Sequence, residues 1–429
     1  MKLIFQNSIW LIADKLLKLS VGLFVSIWIV RYLGPEWFGK FNYINAIIVL
    51  LGTLITFGSE GILVRMFVSE VEKQEEILSA SFSIFLVFGF VSFILSFFVI
   101  WILRPTDDLY LLTFLLSLPS LFKCFSVVRY IYEAKLEVRY IVWIENFIFL
   151  VISGIRILII FLNLSFNFLF LTFALEGIIT SLSIYYFYNR KKSFSLFQVL
   201  NSERVRKILN DSFPLFIAGL AIIVYMKIDQ IMIGSMLGDS ELGIYSVGVR
   251  WSEFWYFIPI GLSSSFFPDL IKLKNESASN YEKRFKLLHV IVFWIAIFGA
   301  VGIQFFSETL ILFLYGDLFY SSSSILKIHI WSGIFVFLGV AGGNFFLIEN
   351  LQKYTIWKSL FGLFVNIILN YVWIPKYGIT GAAIATLISQ FCASTLFLVF
   401  FKELRPLLKL QFSVFFVWNI NITSLKSIK

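Results

Sequence analysis

Cysteine and histidine are scarce in this sequence, with two of each in 429 residues. Cys124 and Cys392 lie far apart in apolar stretches, which favours two buried small side chains over a disulfide or a metal-binding pair. The His and Cys spacing matches no metal-binding pattern, and we find no phosphate-cradling glycine loop and no nucleophile elbow. The sequence therefore predicts no metal site, no cofactor and no catalytic residue.

Charge is also scarce. Charged residues make up 14% of the chain and hydrophobic residues 59%, whereas a soluble domain has about 25% charged and roughly 45–50% apolar residues. The mean hydropathy is +0.89, and apolar runs reach the length of about 20 residues that crosses a bilayer. These runs do not alternate as barrel strands do. The composition predicts an all-α polytopic membrane protein, because helices pair their own backbone groups in lipid.

Twelve transmembrane spans are predicted, each with a boundary error of about two to four residues. The first six lie at about residues 9–31, 40–62, 80–103, 109–132, 140–162 and 167–188. The second six lie at about residues 211–235, 244–267, 286–312, 325–348, 355–374 and 379–401. The run LQFSVFFVWNI near the C-terminus is too short to cross and is predicted to be interfacial.

Cations concentrate in alternate connectors. The opposite connectors hold only Arg31, Lys40, Arg104 and Lys376, so the positive-inside rule places both termini in the cytoplasm. No cleavable signal peptide is evident, because no small-residue cleavage site follows the first apolar run. The net charge of +9 comes from the same connector cations. We expect these cations to contact anionic lipid headgroups, and we do not expect nucleic-acid binding.

Short motifs of the first half of the sequence recur in the second half at a shift of 204 residues. That shift sets Leu33-Gly34 on Leu237-Gly238 and, carried further, Gly177 on Gly381. We therefore predict two six-helix lobes related by an internal parallel repeat, because six crossings return the chain to the same side. The predicted domains are an N-terminal lobe (1–188), a basic cytoplasmic connector (189–210), a C-terminal lobe (211–402) and a tail (403–429).

Three stretches resemble bacterial polysaccharide flippases of the O-antigen, Wzx-like type. They are NSIWLIADKLLKLSVGLFVSIWIVRYLGPEWFGKFNYINAI with GSEGILVR, YMKIDQIMIGSMLGDSELGIYSVGVRWSEF, and NIILNYVWIPKYGITGAAIATLIS. Those flippases share the multidrug/oligosaccharidyl-lipid/polysaccharide exporter superfamily with multidrug extruders and lipid II flippases. The resemblance covers the chain to about residue 405, and RYLGPEWFGKF and IPKYGITGAA are its most specific parts.

This resemblance implies a flippase in the bacterial cytoplasmic (inner) membrane that moves undecaprenyl-pyrophosphate-linked oligosaccharide from the cytoplasmic to the periplasmic leaflet. Its expected partners are that glycan-lipid, membrane lipids, a coupling proton or sodium ion, and polysaccharide polymerase and chain-length machinery. No nucleotide-binding motif occurs, so we expect an ion gradient to drive alternating access between the two lobes.

Such a cargo requires cations for its phosphates inside the membrane, where each charge costs about 2.5–3.5 kcal/mol on insertion scales. The candidate substrate-binding residues are Lys18, Arg129, Arg156, Lys227, Arg250 and Asn344. The candidate ion-coupling residues are Asp14, Asp229 and Glu253. Asp14 and Lys18 are four residues apart and share a helix face. The alternative is that these charges form structural ion pairs or reach back to the headgroups.

Two other functions stay open. A multidrug or toxic-compound extruder has the same architecture, but cations in its cleft would repel a cationic drug. A polysaccharide polymerase or ligase also handles this lipid carrier, but such enzymes typically present a sizeable periplasmic loop, and every outer connector here is short. The sequence therefore predicts a transporter and not an enzyme.

Overall fold

The computed structural model describes residues 2–105, 107–190 and 201–415, and within these ranges the chain is helical with no strand. It divides into two compact units, unit 1 (Met1–Lys227) and unit 2 (Ile228–Lys429). The helices that begin in unit 1 are α1 (Lys2–Thr56), α2 (Glu60–Ser69), α3 (Gln74–Leu103), α4 (Tyr110–Ser117), α5 (Pro119–Phe122), α6 (Arg129–Ala134), α7 (Arg139–Phe161), α8 (Phe166–Asn189) and α9 (Ser202–Met236). The remaining helices are α10 (Asp239–Phe254), α11 (Phe257–Glu276), α12 (Ala278–Tyr315), α13 (Ser322–His329), α14 (Ser332–Ile348), α15 (Lys353–Ser394) and α16 (Arg405–Phe412).

Among the described residues, eight helical stretches are long and apolar enough to cross a membrane, and the bent pair α13 and α14 would make a ninth. Two of these stretches are broken by glycines with non-helical dihedrals, at Gly34 within α1 and at Gly378 within α15. Dividing them there, and adding the pair α10 and α11, gives twelve helical segments in the described ranges. The twelve predicted spans follow these segments in order.

Glycine ends the first helix of each half in the same way. Gly34 has φ 67° and ψ 177°, and Gly238 has φ 95° and ψ −178°. An L-residue rarely adopts positive φ, so glycine is the residue that permits this abrupt break. The repeated sequence therefore encodes a repeated backbone conformation.

The helix order of the first half recurs in the second half, but the shift between them changes along the chain. The starts of α3 at Gln74 and α12 at Ala278 are 204 residues apart, whereas the starts of α4 at Tyr110 and α13 at Ser322 are 212 apart. The cause is that α12 has 38 residues and α3 has 30. The predicted match of Gly177 to Gly381 is therefore wrong: Gly177 lies well inside α8, whereas Gly381 follows the Gly378 break directly.

The fourth span is discontinuous in each unit. In unit 1 it runs through α4, α5, a 3-10 helix at Lys123–Val128 and α6. In unit 2, α13 and α14 meet at an angle of 41°. In unit 1 the break lies against Gly89 of α3, where an added Cβ would be 2.4 Å from the Ser120 carbonyl oxygen. Only glycine allows the backbone of the broken span to approach α3 this closely.

The central connector differs in part from the prediction. Residues 191–200 lie outside the described ranges, but residues from Ser202 onward are helical and form the first turns of α9. The Asn201 side chain accepts hydrogen bonds from the backbone N–H groups of Glu203 and Arg204, so it caps this helix. The proposed lobe boundary near residue 210 stays a prediction.

The C-terminal segment packs onto unit 2. Leu404, Leu407 and Val414 are buried in a core that also contains Phe285 and Phe345. The predicted interfacial run begins in this docked segment, and its part beyond residue 415 lies outside the described residues.

Candidate functional site

A chain of alternating charges lies inside unit 1. We call it the Glu145 cluster, and its members are Asp14, Lys18, Arg129, Glu133 and Glu145. Lys18 Nζ lies 2.8 Å from Asp14 Oδ1 and 2.8 Å from Glu145 Oε2. Arg129 donates to Glu145 Oε1 and, from Nε, to Glu133 Oε1 at 2.8 Å. Glu145 thus uses both carboxylate oxygens to hold two cations.

Local helix geometry explains half of these contacts. Asp14 and Lys18 on α1, like Arg129 and Glu133 on α6, are four residues apart, which places each pair on one helix face. The links to Glu145 on α7 come from tertiary packing, because Lys18 and Glu145 are 127 residues apart. The cluster therefore joins α1, α6 and α7 at a position where unpaired charge in lipid would be costly.

Accessibility differs among the members of the cluster. The Lys18, Arg129 and Glu133 side chains are 34%, 28% and 29% exposed, whereas Asp14 and Glu145 are each 10% exposed. The cations therefore present their outer surface to the accessible side of unit 1, and two of the acids lie behind them. Such an arrangement suits transient contact with an anionic group.

Arg156 is enclosed in contrast. It is 4% exposed, and its guanidinium pairs with Glu176 at 2.6 Å and donates to Thr172 Oγ1 at 3.0 Å. The same group lies 3.9 Å from the ring centroid of Phe173. These contacts link α7 to α8, so the geometry favours a structural role for this predicted substrate-binding residue.

Sequence reasoning overlooked Lys123. It lies in the 3-10 segment of the broken fourth span, its side chain is exposed, and it interacts electrostatically with Glu60, Arg129 and Glu145. Lys123 and Arg129 are the only charged residues of the predicted span 109–132. That interruption of an apolar run could have identified Lys123.

Asp229 anchors a polar network in unit 2. It is 5% exposed, its carboxylate accepts a hydrogen bond from the Tyr245 hydroxyl, and it accepts one from the backbone N–H of Gln230 at 2.8 Å. Tyr245 also hydrogen-bonds with Thr386 on α15. One ionisable carboxylate therefore connects to a set of neutral oxygens across three helices.

Asparagines extend this network along α15. The Asn366 amide donates to Thr386 Oγ1 at 3.5 Å and to Ser389 Oγ at 3.4 Å, and it accepts from Asn370 at 2.9 Å. Asn370 is fully buried, and its Oδ1 has no hydrogen-bond partner in the described residues. Buried amide oxygens are normally paired, so this end of the network has acceptor capacity to spare.

Arg250 and Glu253 lie one helical turn apart on α10, and both are partly exposed. Arg250 interacts electrostatically with Glu253 and Tyr315. The neighbouring Trp251 donates its indole N–H to the Tyr315 hydroxyl at 3.0 Å. The Trp251 ring is therefore held within unit 2.

The last two candidates differ in their surroundings. The Asn344 amide donates to the Ser263 carbonyl at 3.0 Å and is 8% exposed, which fastens α14 to α11. Lys227 is partly exposed on α9. Across the described ranges, no three His, Cys, Asp or Glu side chains group closely enough to hold a metal ion, and both cysteines are free and buried.

Comparison with known proteins adds a family match. Residues 4–266 match the family of polysaccharide biosynthesis proteins. The capsular polysaccharide biosynthesis protein CapF of Staphylococcus aureus is 25% identical over 383 residues, which cover 88% of this chain and 93% of that relative. The probable flippase AglR of Haloferax volcanii is 30% identical over 186 residues, which cover 40% of this chain and 37% of that relative.

Two solved structures share the architecture. The lipid II flippase MurJ in an inward closed conformation has a TM-score of 0.72 at 17% identity, covering 99% of this chain and 93% of that one. An inward-facing multidrug resistance transporter of the MATE family, in the MOP superfamily, has a TM-score of 0.73 at 16% identity, covering 96% of each chain. These likenesses confirm the predicted all-α polytopic fold of about twelve helices.

Proposed function

This chain belongs to the family of polysaccharide biosynthesis proteins, and on that premise we propose that it is a flippase for undecaprenyl-pyrophosphate-linked oligosaccharide. The family match confirms the resemblance found in the sequence. The observation that carries the proposal is the accessible cationic side of the Glu145 cluster, formed by Lys18 and Arg129 within membrane-length helices.

The chemistry of the cargo supports this assignment. A diphosphate and its sugars cannot cross hydrocarbon unaided, so the protein must supply cations and polar groups along the way. Lys18, Arg129 and Arg250 supply partly exposed cations in the two units. The proposed role of the cations in each unit is to hold the phosphates while the polyprenyl chain stays in lipid.

We assign ion coupling to Asp229, with Asp14 as the second candidate. Asp229 is a buried carboxylate joined through Tyr245 to the oxygens of Thr386 and Asn366. Binding of a proton or a sodium ion there would remove a buried negative charge, and this change would bias an alternating-access equilibrium. Glu253, one turn from Arg250, is a further ion-coupling candidate.

One alternative is supported by a specific observation. The MATE-family structure has a TM-score of 0.73, so the fold equally suits an extruder of small cations. The exposed or partly exposed cations Lys18, Arg129 and Lys123 outnumber the one partly exposed acid of the cluster, Glu133, and therefore favour an anionic cargo instead. A polymerase is less well supported, because connectors such as 104–109 and 162–165, which we predict to be periplasmic, are too short to form a catalytic domain.

Depletion of the protein in its native cell tests the function. We expect polyprenyl-linked repeat units to accumulate on the cytoplasmic leaflet of the cytoplasmic membrane, as measured by a leaflet-selective glycan label. Retention of an extruded dye without glycan accumulation would instead establish the extruder. Single translocated units on the outer leaflet would indicate a polymerase.

Charge reversal tests the substrate residues in the same assay. Arg250→Glu should abolish translocation while the protein still reaches the membrane, because it replaces a cation by an anion facing the phosphates. Lys376→Glu, at an exposed cation on α15, is the matched control and should translocate normally. Full activity of the Arg250 variant would remove that residue from the site.

A neutral isostere tests coupling. Asp229→Asn should make transport insensitive to collapse of the gradient that drives the normal protein, whereas Asp317→Asn, at an exposed position, should leave gradient dependence intact. Unchanged transport by the Asp229 variant, with the gradient still required, would exclude Asp229 from coupling.

A further inference from the structure

Lys123 occupies the centre of the fourth span of unit 1. The span covers Tyr110–Ala134, so Lys123 lies roughly 16–20 Å along the helix from either end at about 1.5 Å per residue. A lysine side chain cannot reach a headgroup region over that distance. Its charge must therefore be stabilised by protein groups or by a polar, accessible space.

The break in the span puts Lys123 where it is. Pro119 begins α5 and cannot continue the α-helix before it, and Gly89 leaves room for the Ser120 carbonyl to approach α3. The backbone then runs as a 3-10 helix from Lys123 to Val128. A 3-10 stretch in the middle of an α-helix often marks a functional hinge. A charged residue inside a span almost always faces the bundle interior or a water-filled cavity, and the exposed side chain of Lys123 favours the second of these situations.

The carboxylates around Lys123 are already committed to other partners. Both oxygens of Glu145 are taken by Lys18 and Arg129, Glu133 is paired with Arg129, and Glu60 accepts from the Tyr130 hydroxyl at 3.3 Å. Among the described residues, no carboxylate lies within ion-pair distance of Lys123. The Glu145 cluster alone carries a net charge of −1, which attracts Lys123 at longer range without using its N–H donors.

We propose that Lys123 binds the diphosphate group of the lipid-linked cargo, together with the accessible sides of Lys18 and Arg129. This inference rests on the proposed function and deepens it by naming the residue whose donors are available. An ammonium contributes three N–H donors, and charge-assisted bonds to phosphate are about twice as strong as neutral ones. Lys18 and Arg129 spend part of their capacity on carboxylates, whereas Lys123 does not.

The test is a binding measurement on the full chain in phosphatidylcholine nanodiscs, with undecaprenyl pyrophosphate as the probe. Lys123→Gln should raise the dissociation constant by about tenfold or more, as expected for loss of a charge-assisted hydrogen bond. Lys123→Arg should bind within about threefold of the unmodified protein, since it keeps the charge. Lys135→Gln, at an exposed lysine just beyond the same span, should bind normally.

The outcomes separate this inference from the function on which it rests. If the unmodified protein does not bind undecaprenyl pyrophosphate, the proposed function fails. If it binds and Lys123→Gln binds equally well, the function stands and the role of Lys123 is wrong. Phosphatidylglycerol is titrated in parallel, because a lipid headgroup is the other phosphate that Lys123 could bind. An equal Lys123-dependent affinity for that headgroup would overturn the assignment to diphosphate. Matching melting temperatures exclude misfolding as the cause of lost binding.

Discussion

At the scale of single residues, Glu145 holds the first unit's charges together, because it accepts from two cations that lie on two other helices. Glu145→Gln would leave Lys18 and Arg129 each short of a partner. Both cations are partly exposed, so water offsets part of the loss. We expect a cost of about 1.5–3 kcal/mol for the lost charge-assisted hydrogen bonds and therefore a lower melting temperature in detergent. Glu137→Gln, at an exposed position just before α7, is the control and should melt normally. Equal melting of both variants would contradict the central role of Glu145.

Tyr245 provides the second prediction at this scale, since its hydroxyl donates to the Asp229 carboxylate in a buried setting. Tyr245→Phe removes one charge-assisted hydrogen bond, which contributes about 1.5–3 kcal/mol. We expect a lower melting temperature and a changed dependence of transport on the coupling ion. Tyr377→Phe, at an exposed ring, serves as control. A shift in melting without any change in ion dependence would assign Tyr245 a structural role only.

The sequence predicted residues of this kind only where partners lie on one helix. The spacing of Asp14 and Lys18 implies their contact, and the structure confirms it. The pairing of Arg156 with Glu176 could not be predicted from the sequence, because helix packing determines which faces meet. Tyr245 beside Asp229 was out of reach for the same reason.

At the scale of elements, two classes of glycine have different reasons to be glycine. Gly34 and Gly238 have positive φ, but an added Cβ would meet nothing within 4 Å. Gly381 is helical, but an added Cβ would lie 2.5 Å from the Trp373 carbonyl oxygen. The first class is constrained by backbone dihedrals and the second by space.

Alanine substitution distinguishes these classes. Gly34→Ala and Gly238→Ala should each cost about 1–3 kcal/mol, because positive φ combined with ψ near 180° is a conformation that glycine alone adopts readily. Gly381→Ala should cost more, because two backbones must move apart. Gly52→Ala, at a helical position with open space, should be neutral or stabilising. Thermal melting of the four variants gives the order, and a Gly381 variant as stable as the Gly52 variant would refute it.

The turn between α2 and α3 is held to α9 by ion pairs within unit 1. Arg204 bonds Glu70 at 2.6 Å and Glu76 at 3.4 Å, and Lys207 lies 3.3 Å from Glu70. The hydrogen bond from Arg204 lowers the pKa of Glu70 below its usual 4.5. A lowered pKa in the folded state means that the stabilisation is present above pH 4.5 and is lost as the pH falls through the folded-state value.

This linkage predicts a pH-dependent difference between variants. Near neutral pH, Glu70→Gln should melt below the unmodified protein, and the gap should close as the pH falls below 4.5. Glu72→Gln, at the neighbouring exposed acid, should show no gap at either pH. A gap for Glu70→Gln that persists unchanged at low pH would mean that the ion pair does not cause it.

The repeat shows how far a sequence pattern can extend at this scale. The shift of 204 residues holds from the Gly34 and Gly238 breaks to the starts of α3 and α12, because the stretches between these points have the same total length, although the helices inside them end at different places. It fails after α12, which is eight residues longer than α3. Hydropathy does not mark the residue at which an apolar span ends. An insertion inside a span therefore cannot be detected by an ungapped sequence comparison.

At the scale of the whole molecule, the membrane orientation is still a prediction, with both termini in the cytoplasm. The two native cysteines are buried and free, which makes single-cysteine labelling practical. Asp108→Cys and Asp317→Cys lie in connectors predicted to be periplasmic. Both should react with an impermeant maleimide that reaches the outer face of the cytoplasmic membrane but does not cross it. Asn275→Cys, at an exposed position in the last turn of α11 and on the side predicted to be cytoplasmic, should react only after permeabilisation. The opposite pattern would invert the topology.

The sequence predicted the whole molecule better than it predicted the site. Hydropathy and connector charge are averages over many residues, so the number and order of spans tolerate local error. A site depends on a few contacts between helices, and Lys123 shows that one overlooked residue can matter there. The break before it lies at Pro119, which the sequence shows, but the close approach to α3 depends on a glycine of another helix, Gly89.

The 3-10 stretch at Lys123–Val128 also makes the fourth span longer than an α-helix with the same number of residues. A 3-10 helix rises about 2.0 Å and turns about 120° per residue, against about 1.5 Å and 100° in an α-helix. If these six residues rewound as α-helix, the span would shorten by about 3 Å and Arg129 would swing about 120° around the axis relative to Lys123. The segment thus has the geometry of a screw, in which a small axial movement is coupled to a large change in which way a charge points.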